Sequence, residues 1–424
     1  MLDRSQAPTI QSIDKANLPQ PVVHQLDNGI PLYEIKLGTQ NVLKLEVSFK
    51  AGRWYEKYPL IAKTTSQLIK AGTTKNSAEE IANLFEYFGS SLKIDDGFNR
   101  VNIEFYCLVK HLDKLLPVLQ DLITIPAFDP QELKKFVKRN KQNLKIQLRK
   151  NDIVAYREFT EQLFGKEHPY GYNSTEAYYQ TVNIDKVRAY FDRQYTAQNC
   201  SVFVAGKTSP EVLALINKYL GVLPRGNSLP EPTHTVLPQP PFAPVALSVN
   251  SDSLQASIRI GCRTFDRTHP DWDHFYMMNM VLGGYFGARL MQNLREENGY
   301  TYGVYASMET LLYDGYWYIH TDVGNDVKDL AIAEIYKEIE RLQVELVSEK
   351  ELEMVKNYTL GMLLTSIDGV FNVASVVKSL VNSDIDLSYF ENFTASIQAV
   401  TPEDIQLMAQ KYLTKDRLLE VVVG

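Results

Sequence analysis

Cysteine is scarce in this chain: Cys107, Cys200 and Cys262 are the three found in 424 residues. Their number is odd and their spacing wide. That excludes a disulfide framework and fits buried thiols in a reducing compartment. Long apolar runs are missing too. None approaches the ~18–20 residues of a membrane span, and the opening stretch MLDRSQAPTIQSIDK has no apolar core of the kind a secretory signal needs. These absences point to a cytoplasmic chain with no membrane as partner. Positive charge is outweighed, the net charge being −7, which argues against nucleic acid as a partner. The seven histidines are His24, His111, His168, His234, His269, His274 and His320. No two lie four apart with a glutamate between them, as a helical zinc hydrolase site requires. The nearest cluster, HPDWDH at 269–274, reads as a helix start with Pro270 at its first position and two favourably placed acids.

What is present reads as globular, with 45% apolar and 22% charged residues. The length exceeds one ordinary core and suits two or more domains of ~100–200 residues. Two 25-residue stretches say the same thing: VNIDKVRAYFDRQYTAQNCSVFVAG at 182–206 and VTPEDIQLMAQKYLTKDRLLEVVVG at 400–424. They align without a gap, each a capped helix, a short loop and an apolar strand. LKLEVSFKAGRWYEKYP at 43–59 pairs likewise with LQASIRIGCRTFDRTHP at 254–270. Between the copies, residues 224–244 hold seven of the 19 prolines. Proline lacks a backbone donor and fixes φ, so this stretch is a linker. The chain thus divides into 1–222, a linker 223–244, and 245–424. Within each half a cluster of strands precedes several helices and a last strand, which implies α+β layers with helices covering one sheet face.

Local signals place the elements. Asn28-Gly29 predicts a hairpin turn within QPVVHQLDNGIPLYEIKLG. Ser77 with Glu80, and Ser348 with Glu351, predict capping boxes, and Gly89 a helix stop. Asp129-Pro130, Ser209-Pro210 and Thr401-Pro402 predict helix starts. The helix 130–150 carries eight basic residues after Glu132. Leu133, Val137, Leu144 and Leu148 form its apolar stripe, so the cations read as its solvated face.

One segment invites chemistry. VLGGYFGARLMQNLREENGYTYGVYA at 281–306 holds five glycines, and 285–318 holds seven of the 25 tyrosines. Clustered glycines let a backbone approach a ligand closely. Arg295 and Tyr302 supply a fixed guanidinium and a hydroxyl, donors able to hold a peptide carbonyl and the charge that develops on it. The same stretch also suits a turn joining a helix to an aromatic strand, with Tyr302 as packing. The residues themselves leave both readings open.

An ordered set of motifs carries a resemblance over nearly the whole chain: LDNG, AGRWYE, IKAGT, HPYG at 168–171 followed by Thr175-Glu176, and LGGYFGARLMQNLREENGYTYGV. With these the chain resembles the pitrilysin family, which includes insulin-degrading enzyme and the mitochondrial processing peptidase. The resemblance implies tandem α+β domains of one fold (metallopeptidase LuxS-like) forming a clam-shaped half, and it accounts for the repeat. Active members carry an inverted zinc motif, H-x-x-E-H. Alignment on Gly72-Thr73 places it on Lys63, Thr64, Thr65, Ser66 and Gln67, so both histidines and the glutamate are replaced. The third family ligand would fall near 141–146, where no acid stands. No metal is therefore expected in this chain.

The family's arginine–tyrosine pair, seven residues apart, is kept as Arg295 and Tyr302. The resemblance thus implies an inactive subunit of a zinc metallopeptidase. A sister chain with H-x-x-E-H would bring the zinc, and this chain would bind peptide substrate through Arg295 and Tyr302. Two other readings are a scaffold like the core subunits of the bc1 complex and a zinc-free homodimer that binds peptides.

Overall fold

A computed structural model describes residues 16–227, 231–234, 242–249 and 253–424. Two sheets dominate it. The first is built from β1 (Val22–Gln25), β2 (Pro31–Lys36), β3 (Val42–Phe49), β4 (Ser91–Asp96), β5 (Val101–Leu108) and β6 (Cys200–Gly206) in the order β1-β2-β6-β3-β5-β4. The helices in this half are α1 (Ile61–Ile69), α2 (Ala78–Tyr87), α3 (Leu112–Thr124), α4 (Pro130–Gln147), α5 (Asn151–Phe164), α6 (Glu176–Thr181), α7 (Ile184–Gln194) and α8 (Pro210–Leu220). The second sheet holds β7 (Val245–Leu247), β8 (Gln255–Arg263), β9 (Thr301–Thr310), β10 (Gly315–Gly324) and β11 (Leu419–Val423), ordered β7-β11-β8-β10-β9. With it run α9 (Trp272–Gly283), a π-helical segment (Met291–Glu297), α10 (Lys328–Val344), α11 (Glu349–Ser366), α12 (Val370–Asn382), α13 (Tyr389–Ala399) and α14 (Pro402–Tyr412).

The duplication is visible in the topology. β6 runs parallel to β2 and antiparallel to β3. Its counterpart β11 runs parallel to β7 and antiparallel to β8. In each half the last strand inserts between two earlier strands of the sheet, after a helix capped by Asn183 or by Thr401. The fold is thus α+β, with two tandem units of one plan.

Each sheet packs one face on its own helices. Leu43, Leu45, Val47 and Phe49 of β3 join Ile69, Phe85, Leu115 and Leu119 in the first core. Ile258, Ile260, Trp317 and Ile319 join Phe275, Met278, Ile335 and Ile405 in the second. The other face is where the halves meet, and the sequence reading had no helix there. α5 of the first half lies on the second sheet, with Tyr156 Oη 2.7 Å from Tyr316 Oη and the rings of Phe159 and Tyr318 5.8 Å apart. Reciprocally, α12 of the second half lies on the first sheet, where Val373, Ala374 and Val377 pack on Ile35, Phe203 and Ala205. This explains why seven of the eight β3 residues are buried: the alternate residues Lys44, Glu46 and Ser48 lie under α12. Lys44 pairs with Glu46 and with Glu104 (2.9 Å), and Lys378 of α12 reaches Glu46 at 2.7 Å.

Most local signals are met. Leu26 and Ile30 close the hairpin turn around Gly29, whose φ of +88° favours glycine. The capping box at Ser77 and Glu80 forms, and Asp129, Ser209 and Thr401 cap their helices. Three local details differ. Ser348 caps α11, but Glu351 does not reach back to it; its carboxylate instead takes a bidentate pair from Arg289 at 2.8 and 2.9 Å. α9 begins at Trp272 rather than Pro270, and the Asp271 carboxylate does not cap it but accepts from Lys411 and Tyr412 of α14. α4 ends at Gln147, which leaves Leu148 exposed.

Of the linker, residues 228–230 and 235–241 lie outside the described residues. The described part is pinned to both halves: Glu231 meets Lys50 at 2.8 Å and Tyr313 Oη at 3.1 Å, and His234 Nε2 meets the Trp54 carbonyl at 2.9 Å. All three cysteines are buried and unpaired, and burial raises the pKa of each thiol. Among the described residues no single helix is long and apolar enough to cross a membrane.

Candidate functional site

α1 is the helix on which the zinc-motif positions fall. Its side chains are engaged in ways that leave no metal cradle. The Thr64 and Thr65 hydroxyls donate to the carbonyls of Leu60 and Ile61, and Ser66 Oγ donates to the Lys63 carbonyl. Gln67 Nε2 donates to Asp96 on β4 at 3.0 Å. Lys63 is exposed. An ammonium and an amide at the ligand positions do not fit Zn²⁺, which takes thiolate, imidazole or carboxylate. Among the described residues no three His, Cys, Asp or Glu side chains converge to hold a metal ion. On α4, Lys141 and Lys145 stand within 3.4 Å of Glu176.

Just ahead of α1, Glu56 accepts hydrogen bonds from Leu60 N, Ala62 N and Tyr172 Oη. Burial pushes its carboxyl up to about 7 against the pull of those donors.

In the second half the structure brings Arg295 and Tyr302 together. Arg295 lies on the π-helical segment, a form enriched at functional sites. Asn293 ties that segment to α10 through Glu334 and Glu338, both at 2.8 Å. Gly299, at φ +65°, turns the chain into β9. Gly283 is required for a different reason: a Cβ there would lie 2.8 Å from the Ala306 backbone nitrogen of β9.

β9 is an edge strand whose one partner in the sheet is β10. The register carries a bulge. Thr301 opposes Val323 and Val304 opposes Thr321, so Tyr302 and Gly303 face Asp322 alone. Thr301 and Thr321 hold the bulge through their hydroxyls, each bonding the Gly303 carbonyl at 3.0 Å. Such bulges re-aim side chains beside active sites. Here the result is a Tyr302 that is 90% exposed. That removes the packing alternative for this ring. The Arg295 guanidinium sits between two aromatic faces, 5.0 Å from the Tyr302 ring centre and 4.8 Å from that of Phe286. Glu296 approaches its Nε at 3.4 Å.

Phe286, half of this stack, was missed from the sequence. It lies within the glycine-rich stretch, and the signal was an aromatic residue nine positions ahead of the arginine. The two groups of candidate residues stand on different halves. No hydrogen bond, ion pair or ring contact among the described residues joins Lys63, Ser66 or Gln67 to Arg295 or Tyr302.

Comparison with known proteins agrees with this anatomy. Residues 181–359 match the family described as Peptidase M16 inactive domain. A Bacillus subtilis protein called "Uncharacterized zinc protease YmxG" is 25% identical over 358 residues, 83% of this chain and 85% of that protein. "Non-peptidase homolog YmxG" of Helicobacter pylori is 23% identical over 367 residues, 84% of this chain and 80% of that protein. The crystal structure of a peptidase M16 inactive domain from Pseudomonas fluorescens covers 95% of this chain and 98% of its own, with a TM-score of 0.86 at 21% identity. Relatives thus carry both protease and non-peptidase names, and the resemblance places lysine and glutamine of this chain at the metal-ligand positions. Over residues 181–359 the chain matches the M16 inactive-domain family, and nowhere does its sequence carry H-x-x-E-H.

Proposed function

We propose that this chain is the non-catalytic half of a two-chain zinc peptidase. In this reading a sister chain with an intact H-x-x-E-H helix supplies the metal, and Arg295 and Tyr302 of this chain meet the peptide that the sister holds. One observation carries the proposal: Tyr302 stands on a bulged edge strand, 90% exposed, against an arginine stacked on it. An exposed tyrosine over an ordered guanidinium has no packing role to repay its hydration. It offers one neutral and one charged donor to a carbonyl oxygen that gains negative charge, the arrangement that stabilises an oxyanion. Arg295, held from both sides, gives direction as well as charge.

A tagged copy of the chain, purified from its own cells, tests this. Co-purification of a chain of similar length bearing H-x-x-E-H is expected. The pair should contain one zinc and cleave peptides, and the isolated chain should do neither. An isolated chain that binds stoichiometric zinc and cleaves peptides refutes the proposal, as does a chain that recovers no such partner.

A further inference from the structure

Beside α1 lies a partly enclosed pocket of about 270 Å³. The start of α1, the tight turn after β4 and the 172–174 loop form its walls. Its polar lining is unbalanced: Arg53, Lys63 and Arg157 face a single acid, Asp96. The cations are not spent on each other's neighbours. Lys63 makes no close ion pair among the described residues, its charge acting on Asp96 at longer range, and the Asp96 carboxylate accepts a hydrogen bond from Gln67. Arg157 donates to the Ser174 carbonyl at 2.7 Å and to its hydroxyl at 3.4 Å, which fixes the plane of a guanidinium with further donors to offer. Arg53 donates to the Tyr172 carbonyl at 2.9 Å, with its flat face 4.1 Å from the Phe98 ring centre. Two ordered guanidinium forks and an ammonium with no close acid partner make a site for an anion.

The remaining wall narrows the class of anion. Leu60, Phe98 and the Tyr172 ring supply apolar surface, and Asp96 supplies an acceptor. A phosphomonoester dianion has no donor to give Asp96, and inorganic phosphate, with one or two O–H groups, offers no apolar part to the rest of the wall and brings more negative charge against Asp96. A chain-terminal carboxylate meets the guanidinium groups, its neighbouring amide N–H can be given to Asp96, and its side chain can lie on Phe98 and Leu60. We propose that this pocket binds the C-terminal carboxylate of a peptide, on the helix whose zinc-motif positions hold lysine and glutamine. The inference does not rest on the sister chain: the site lies wholly in this chain, and binding there is read without catalysis.

Isothermal titration of the full chain tests it with four probes. They are an N-acetylated tripeptide with a free C-terminus, the same peptide as its C-terminal amide, a peptide amidated at that end with one internal glutamate, and inorganic phosphate. The free acid is expected to bind, the amide to give no heat, the glutamate peptide to bind at least tenfold more weakly, and phosphate to fail to displace the free acid. Lys63→Gln should weaken the free acid about tenfold, the loss of one charge-assisted contact. Lys63→Arg should restore it. Lys63 is exposed, so both variants should keep the wild-type melting temperature. Equal binding of acid and amide overturns the proposal. So does tighter binding of glutamate peptide or phosphate, no binding of the acid at millimolar concentration, or a Lys63→Gln chain that binds as wild type. A complex that cleaves peptides while the free acid shows no binding here defeats this inference alone. Binding here by a chain that recovers no sister defeats the proposed function alone.

Discussion

Replacing Glu46 by glutamine should loosen the grip of one half on the other. Glu46 lies on β3 under α12, with its side chain 2% exposed. It neutralises two cations, Lys44 of the same strand, 4% exposed, and Lys378 of α12, 19% exposed. With Glu104 the cluster is two cations and two anions, and Glu46→Gln leaves it one positive charge in excess. Removing one partner of a buried pair costs about 3–5 kcal/mol. Lys378 keeps some access to water, so a loss of about 2–3 kcal/mol is expected here.

The cluster also sets a pH dependence. Burial alone would lower the Lys44 pKa, but its bonds to Glu46 and Glu104 outweigh that and raise it. Burial likewise opposes ionisation of Glu104, yet the charges of Lys44 and Lys378 hold it below its usual 4.5. The stability Glu104 contributes is therefore present above its unfolded value and is lost as pH falls through its lowered folded value. Equilibrium urea unfolding of wild type, Glu46→Gln, Lys378→Met and the double variant, near neutral pH, reads these effects. The double variant restores charge balance and should recover part of the loss, a coupling that separates the pair from two independent sites. A Glu46→Gln loss below about 1 kcal/mol, the worth of a surface pair, would refute the reasoning.

Two further outcomes are expected. Burial raises Glu56 to about 7 from 4.5, so the folded chain binds the extra proton and its stability falls as pH rises through that window. The difference between wild type and Glu56→Gln should change by up to about 3 kcal/mol between pH 4.5 and 7 in thermal or urea unfolding, and a flat difference would contradict it. In the proposed two-chain enzyme, Arg295→Ala should raise KM about tenfold or more with a smaller effect on kcat, and Phe286→Ala should raise it several-fold by freeing the guanidinium. An unchanged KM for both would show that the stacked arginine does not meet the peptide.

Signals legible in the sequence were those whose physics is local. Asn28-Gly29, Ser77 with Glu80, and Asp129-Pro130 satisfy backbone groups within a few residues, and each formed as expected. The repeat at 182–206 and 400–424 was legible because one helix–strand unit fills the same slot in two sheets. Features set by distant partners were not. Lys44 and Glu46 look like the exposed face of an amphipathic strand until α12, over 300 residues on, covers them. Glu351 matches a capping box by spacing but is captured by Arg289, 62 residues earlier. The Arg295–Tyr302 spacing was readable. The bulge that turns Tyr302 outward was not, because it depends on the register between β9 and β10.

The central claim is that this chain lends a hydroxyl to chemistry performed on another. Tyr302→Phe isolates it, since the change deletes one oxygen from an exposed ring and leaves the stack with Arg295 in place. The measurement is kcat for peptide hydrolysis by the proposed two-chain enzyme carrying Tyr302→Phe, with zinc content and complex mass checked alongside. Losing one oxyanion donor typically costs ~10²–10³ in rate. The account predicts a loss of that order with assembly and zinc unchanged. Wild-type kcat in the variant complex would contradict it and leave this chain a scaffold.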